Sequence, residues 1–256
     1  MRVEGLRVRL GGVLVLEDIT FDVVEGLNLI LGPNGSGKTT TLRAIAGIYK
    51  PEGGRIELDG DIGYMPVEFA DVDMTVLDVL LAGGGRHPER YLAWLKAVGL
   101  EGFEGRIFSR LSAGQKRLVL LAKALAEGRV VLLDEPTANL DPAHKALIMG
   151  ILQKLKRLKV FIAASHDLDL INIADNVILL RRGRAIQMRP DEVDGEILSE
   201  VYGIPISVIE LQGRRLFAAL APHFSRESPG RLSGETPTSS GRSRRARRGQ
   251  DLAPRD

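Results

Sequence analysis

Apolar positions crowd into short runs near the amino terminus and then alternate between strand-like and helix-like stretches. Val3 to Leu10, Val13 to Leu16, Ile19 to Val24 and Leu27 to Leu31 read as strands, with a turn at Gly11-Gly12. So many strands so early predict an antiparallel sheet beside the main core. A helix is expected over about Lys38 to Ala46, ended by Gly47 and Pro51. Arg55 to Leu58 and Asp61 to Met65 read as a hairpin turning at Asp59-Gly60. From about 75 to 126 the spacing turns helical, over Thr75 to Leu81, Pro88 to Val98 and Ser112 to Ala126. Glycines 83 to 85 and the stretch Gly99 to Gly105 separate these helices, and Tyr91 and Trp94 read as core residues of the insert.

Val130-Val-Leu-Leu133 is apolar throughout, as expected for a strand covered on both faces. A helix over Pro142 to Leu158, capped by Asp141, then strands Val160 to Ala164 and Val177 to Leu180 extend an alternation that implies a mainly parallel α/β sheet. From Gly195 a small end piece follows, helical over Glu196 to Tyr202 and strand-like over Ile204 to Glu210 and Arg215 to Ala219.

Composition changes beyond residue 221. Residues 222 to 256 are dominated by Ser, Gly, Pro, Thr and Arg, so the folded domain is expected to span 1 to 221 and the remainder to be a disordered tail. Arg242, Arg244, Arg245, Arg247 and Arg248 form its basic cluster, read as a solvated charge run with general attraction for anions. A net charge of +2 names no partner, and nucleic acid is not the expected one. The absence of cysteine removes disulfides, thiolate metal sites and cysteine nucleophiles. With no long apolar run and no basic-then-apolar leader, the chain is expected to be intracellular and to meet a membrane only through a partner.

The chemistry centres on Gly32-Pro33-Asn34-Gly35-Ser36-Gly37-Lys38-Thr39-Thr40, which follows a buried strand and opens a helix. This is the phosphate-loop pattern, in which the glycines let successive backbone N–H groups face one anion at a helix N-terminus. Lys38 would reach the β- and γ-phosphates of a nucleotide, and the Thr39 hydroxyl would reach Mg²⁺. Asp134 and Glu135 stand at the carboxyl end of the second buried strand, the sheet edge that also carries the loop. Asp134 suits Mg²⁺ and Glu135 suits a general base for an attacking water. Ser112 and Gln115 have capping-box spacing, which predicts a second helix start with outward N–H groups. Because that helix start cannot easily reach phosphates bound by its own chain, a symmetric second chain is implied.

Together these residues resemble the ATP-binding cassette (ABC) ATPases, the nucleotide-binding subunits of transporters. Gly32 to Thr39 matches the family's Walker A motif, and Leu111 to Gln115 resembles its LSGGQ signature with Ala113 in place of a glycine. Val130 to Glu135 is similar to Walker B plus catalytic glutamate, Ala138 to Asp141 to the D-loop, and Ser165-His166-Asp167 to the switch histidine segment. The resemblance implies a P-loop NTPase fold of ABC type with parallel core, antiparallel side sheet and helical insert. It also implies two ATPs held head to tail between Lys38 of one chain and Ser112 and Gly114 of another, with Asp141 beside them and His166 on the γ-phosphate. A homodimer or paired ATPase subunit, an integral membrane permease and a substrate-binding protein are the partners it implies, and the inner face of the cell membrane the location.

Two departures from the family carry expectations. The glutamine expected after the strand Asp61 to Tyr64 is Val67, so Glu68 is the substitute candidate for contact with Mg²⁺, water and permease. Where the family stacks an aromatic ring on adenine, this chain has Leu10, with Val13 past the turn, which predicts weak adenine discrimination and acceptance of GTP. His87, His144 and His223 read as surface or packing residues. The stretches Thr75 to Leu80 and Glu200 to Val208 resemble those of importers for metal chelates, namely iron siderophores, haem and cobalamin. An exporter subunit and a soluble ATPase acting on nucleic acid or ribosomes are the rival readings. The short 40 to 110 interval without heptads and the single phosphate loop speak against the soluble class.

Overall fold

The computed structural model describes residues 1–85 and 87–220. Strands β1 (Arg2–Leu10) and β2 (Val13–Asp22) form an antiparallel hairpin through Gly11-Gly12. Next come β3 (Leu27–Leu31), α1 (Lys38–Ile45), β4 (Gly53–Glu57) and β5 (Ile62–Met65). Three helices follow: α2 (Val76–Leu81), α3 (Pro88–Ala97) and α4 (Ala113–Glu127). The core resumes with β6 (Val130–Asp134), α5 (Pro142–Leu155), β7 (Val160–Ser165), β8 (Asn176–Arg181) and β9 (Arg184–Met188). Helix α6 (Gly195–Tyr202) and the hairpin β10 (Ile206–Leu211) to β11 (Arg214–Ala219) complete the described chain.

Nine strands join in the order β4-β1-β2-β9-β8-β3-β7-β6-β5. Neighbours from β8 through β3, β7 and β6 to β5 are parallel, whereas β9 runs antiparallel to β8 and the β4-β1-β2 group is antiparallel within itself. A two-residue side-chain period sorts the central strands between two cores. Leu29, Leu31, Val131, Leu133, Phe161 and Ala163 face the core that holds α2 to α6. Ile30, Leu132, Ile162 and Ala164 face the one that holds α1 and the β1–β2 sheet. Because both faces are covered, these strands read as unbroken apolar runs. Truncating a side chain such as Leu132 to Ala in this layer costs about 2–5 kcal/mol.

Three expectations need correction. The hairpin over 55–65 does not form: β4 pairs antiparallel with β1 (Arg2↔Glu57, Val3↔Ile56), and β5 pairs parallel with β6 (Ile62↔Val130, Met65↔Leu133). Asp59-Gly60 marks a reversal, but local turn chemistry does not choose the pairing partner, and each strand finds a longer apolar neighbour elsewhere. The strands read as Val13 to Leu16 and Ile19 to Val24 are one strand, β2, whose polar Glu17 and Asp18 are paired rather than looped out. Both of their backbone N–H groups donate to Gly183 O, and Asp18 pairs with Arg184. Strand β9 was not expected because its residues are mostly polar and exposed on the outer side. It is held by a tight turn in which Arg182 and Gly183 adopt φ 49° and 72°.

A polar seam crosses this junction. Asn28, fully buried in β3, donates to Val24 O and Phe161 O; Asn176 donates to Asn28 Oδ1 at 3.0 Å, and Gln187 to Asn176 Oδ1 at 3.0 Å. Each amide is satisfied, so the seam fixes register without leaving a buried group unpaired. The arginine cluster at 242–248, His223 and the expected tail lie outside the described residues.

Candidate functional site

The loop 32–37 leaves β3 at the carboxyl edge of the parallel sheet and ends at Gly37, the residue before α1, with φ 100°. A Cβ on Gly32 would overlap the Leu180 carbonyl and sit 2.7 Å from Ser36 Oγ, so only glycine lets the loop fold this tightly against β8. The Lys38 ammonium donates to Gly32 O at 2.7 Å and Pro33 O at 3.2 Å. Its burial lowers its pKa, against the pull of the Glu135 and Asp134 carboxylates. Ser36 Oγ is buried and has no hydrogen-bond partner among the described residues. An orphaned hydroxyl beside a buried ammonium in a curled glycine loop fits a polyanion such as a nucleotide phosphate chain.

Thr39 Oγ1 donates to Asp134 Oδ1 at 2.9 Å, and the Tyr64 hydroxyl donates to Asp134 Oδ2 at 3.3 Å. Burial raises the Asp134 carboxyl above the ordinary range, only partly offset by those two hydrogen bonds. A hard-oxygen pair of one hydroxyl and one desolvated carboxylate suits Mg²⁺.

Glu135 adopts φ 50°, a left-handed conformation that costs a non-glycine residue about 1–2 kcal/mol. In return its Oε2 accepts from Ser165 Oγ at 3.1 Å and His166 N at 3.3 Å, with His166 Nδ1 at 2.9 Å. The carboxylate is mostly buried while the imidazole is largely exposed at the rim. One carboxylate oxygen is thereby held, as a base oriented toward a bound water requires. Asp167, the next residue, is fixed by Thr137 Oγ1 at 2.8 Å and by the Lys145 ammonium at 2.9 Å.

The other expected residues lie apart from this cluster. Ser112 and Gln115 form the expected reciprocal cap on α4: Gln115 N donates to Ser112 Oγ at 3.2 Å and Ser112 N to Gln115 Oε1 at 3.1 Å. Asp141 caps α5 through Ala143 N and His144 N, and those bonds hold its carboxyl below the ordinary range, the His144 amide foremost. No hydrogen bond or ion pair among the described residues joins Ser112, Gly114, Gln115 or Asp141 to the phosphate loop. Glu68 follows β5 and is exposed, with no such contact to Asp134 or Thr39 among the described residues.

Sequence reasoning gave no role of its own to Tyr64, to Ser165 (named only within the switch histidine segment) or to Arg117. The first two carry a signal in hindsight, since Tyr64 sits one residue from the end of a strand beside β6 and Ser165 directly precedes His166. Arg117 had none beyond a charge on the buried face of α4: its guanidinium is buried against Phe69 and reaches Pro66 O at 3.5 Å.

Residues 16–138 match the family model described as ABC transporter. The chain is 37% identical over 217 residues to the hemin import ATP-binding protein HmuV of Rhizobium etli, covering 72% of this chain and 82% of that protein. An inward-facing metal-chelate type ABC transporter superposes with a TM-score of 0.77 at 26% identity, covering 86% of this chain and 97% of that one. A dimeric ATP-binding cassette in a post-hydrolysis state with ADP and Pi superposes at 0.64 with 26% identity, over 74% and 98% of the two chains. With these likenesses added to a phosphate loop, a carboxylate pair and a held base on one sheet edge, the chain belongs to the ABC transporter family as an ATP-binding, ATP-hydrolysing subunit.

Proposed function

We propose that this chain hydrolyses Mg²⁺-ATP to drive import of a metal chelate of the haem class through a membrane permease. The observation that carries the hydrolytic reading is the Glu135 carboxylate, held by Ser165 and His166 beside the Thr39–Asp134 pair. Lys38 and the N–H groups of 34 to 39 bind the phosphates, with Thr40 closing the loop's first turn. Thr39 and Asp134 would hold Mg²⁺, which would neutralise charge on the β- and γ-phosphates. Glu135 accepts a proton from water as the water oxygen bonds to the γ-phosphorus and the bond to the β-bridging oxygen breaks, giving ADP and phosphate. His166 orients that water and the γ-phosphate from the rim.

The separate position of Ser112, Gly114, Gln115 and Asp141 supports a second copy or paired subunit as the source of the remaining contacts. The likeness to a dimeric cassette supports the same arrangement. Glu68 takes the coupling place that Val67 leaves, toward the permease. The cargo class rests on the likeness to a hemin import protein and a metal-chelate transporter. Among the described residues no helix is long and apolar enough to cross a membrane, so transport needs a permease. A substrate-binding protein would deliver the chelate to the other side.

The test is copurification from solubilised native membranes followed by ATP-driven haem uptake in vesicles holding the recovered complex. A multi-span permease and uptake that stops with Glu135→Gln are expected. Recovery of nucleic acid or ribosomes without a permease would contradict the reading.

A further inference from the structure

His144 was read from sequence as a surface or packing residue, yet its ring lies across the signature glycine. A Cβ built on Gly114 would fall inside the imidazole, 2.5 Å from Cγ and 2.6 Å from Nε2. The same ring reaches back through Nδ1 to Asp141 Oδ2 at 2.6 Å, while Asp141 Oδ1 accepts from the Ala143 and His144 amides at 2.9 and 3.0 Å. The next residue, Lys145, bonds Asp167 and Asp169, the segment directly after His166. The first turn of α5 therefore touches the α4 start with one side chain and the His166 segment with the next.

We propose that His144 is a positioning residue that locks the start of α4 to the start of α5. Ser112, Gly114 and Asp141 then meet a second chain's nucleotide as one rigid surface. Three physical points carry this. The contact is ring against backbone, with no flexible side chain of Gly114 to absorb a shift, so movement of either helix start is felt by the other. The ring's orientation is set by a short hydrogen bond whose acceptor is itself fixed by two backbone amides, leaving little rotational freedom. Gly114 is then glycine for a reason internal to the chain: any side chain would displace His144 and release Asp141. The inference rests on the cross-dimer reading above, but the lock itself lies within one chain and can be measured there.

The test pairs a clash with its relief in the full chain. Gly114→Ala should lower kcat for ATP hydrolysis by about tenfold or more, and adding His144→Ala should restore activity to the level of His144→Ala alone, because the new Cβ then has room. His144→Ala alone should lower kcat several-fold at unchanged nucleotide affinity, and His144→Asn, which can still donate to Asp141 and lie flat over Gly114, should recover most of it. A double variant no more active than Gly114→Ala would overturn the proposal, since the glycine would then be needed only for approach of the other chain's phosphates. Thermal melting of each variant reports whether it folds. Amide hydrogen exchange over 112–116 in the nucleotide-free chain reads the lock without any dimer: faster exchange in His144→Ala is expected, and unchanged exchange would sink it. If Glu135→Gln fails to dimerise with ATP while that exchange still rises, the cross-dimer reading fails and the lock stands.

Discussion

At the sheet edge, Lys38, Thr39, Asp134, Glu135, Ser165 and His166 are bonded to their own loop or to one another. At the starts of α4 and α5, Ser112 and Gln115 cap one helix and Asp141 caps the other, Gly114 lies against His144, and among the described residues no hydrogen bond or ion pair joins these four to the first group. The first group is desolvated at its centre, where Asp134 and Ser165 are fully buried and Lys38 nearly so, with His166 exposed at its rim. The second is more open, with Ser112 and Asp141 exposed, Gln115 partly so and Gly114 buried under His144. A group that is buried, strained and internally satisfied has its chemistry assembled before substrate arrives. One whose Ser112 and Asp141 are exposed and serve as helix caps fits the proposed half-site for a second chain. The contrast supports the proposal that this chain holds its hydrolytic edge whole and its clamp in part.

The largest expected effect tests the first group. Glu135→Gln should cut ATP hydrolysis by about 10²–10⁴-fold while leaving ATP affinity near wild type, read by phosphate release and by fluorescent-nucleotide titration. Near-wild-type turnover would move the base elsewhere. A smaller effect concerns the β1–β2 hairpin beside the phosphate loop of the first group. Val15 and Leu16 of β2 pack at Gly37, and Leu10 and Val13 flank the nearby turn without an aromatic ring. Leu10→Tyr should tighten ATP and GTP alike by about 1–3 kcal/mol, the range of base–aromatic stacking, and leave the ratio between them little changed in a competition titration. A strong ATP preference in the unaltered chain would contradict the expected weak adenine discrimination.

The smallest effect separates stability from function in the first group. Since burial raises the folded pKa of Asp134 above its unfolded value, the cost of its charge grows as pH rises through that folded pKa and is fully present above it. Asp134→Asn should therefore raise the melting temperature of the nucleotide-free chain at neutral pH by about 2–4 °C, the shift from roughly 1 kcal/mol. The same change should abolish the further rise that Mg²⁺-ATP gives the wild type. A lower melting temperature without nucleotide would show that the Thr39 and Tyr64 bonds outweigh desolvation.

The first group was legible in the sequence because its chemistry is local: a contiguous loop, a strand ending in two acids and a histidine after a strand. The caps of α4 and α5 were legible for the same reason, as Ser112–Gln115 and Asp141–His144 are spaced by one helical turn. What was not legible depends on which distant segment comes alongside. Local turn chemistry at Asp59-Gly60 could not say that β4 joins β1 while β5 joins β6. The polar, exposed β9 carries no hydrophobic period, since it is held by backbone pairing and by Gln187 in the amide seam. Asn28 lay unremarked in the strand Leu27 to Leu31, although it is the seam's anchor. The His144–Gly114 contact joins residues about thirty positions apart on two helices, and nothing in either segment's pattern announces it.

The most direct test of the incomplete-clamp account is sedimentation velocity of Glu135→Gln chains at saturating Mg²⁺-ATP, with and without Ser112→Arg. Dimers with ATP for Glu135→Gln, monomers with ADP, and monomers with ATP once Ser112→Arg is added are the expected result. If Glu135→Gln remains monomeric with ATP bound, or if the Ser112→Arg double variant dimerises as well as its parent, the second chain does not complete the site through α4.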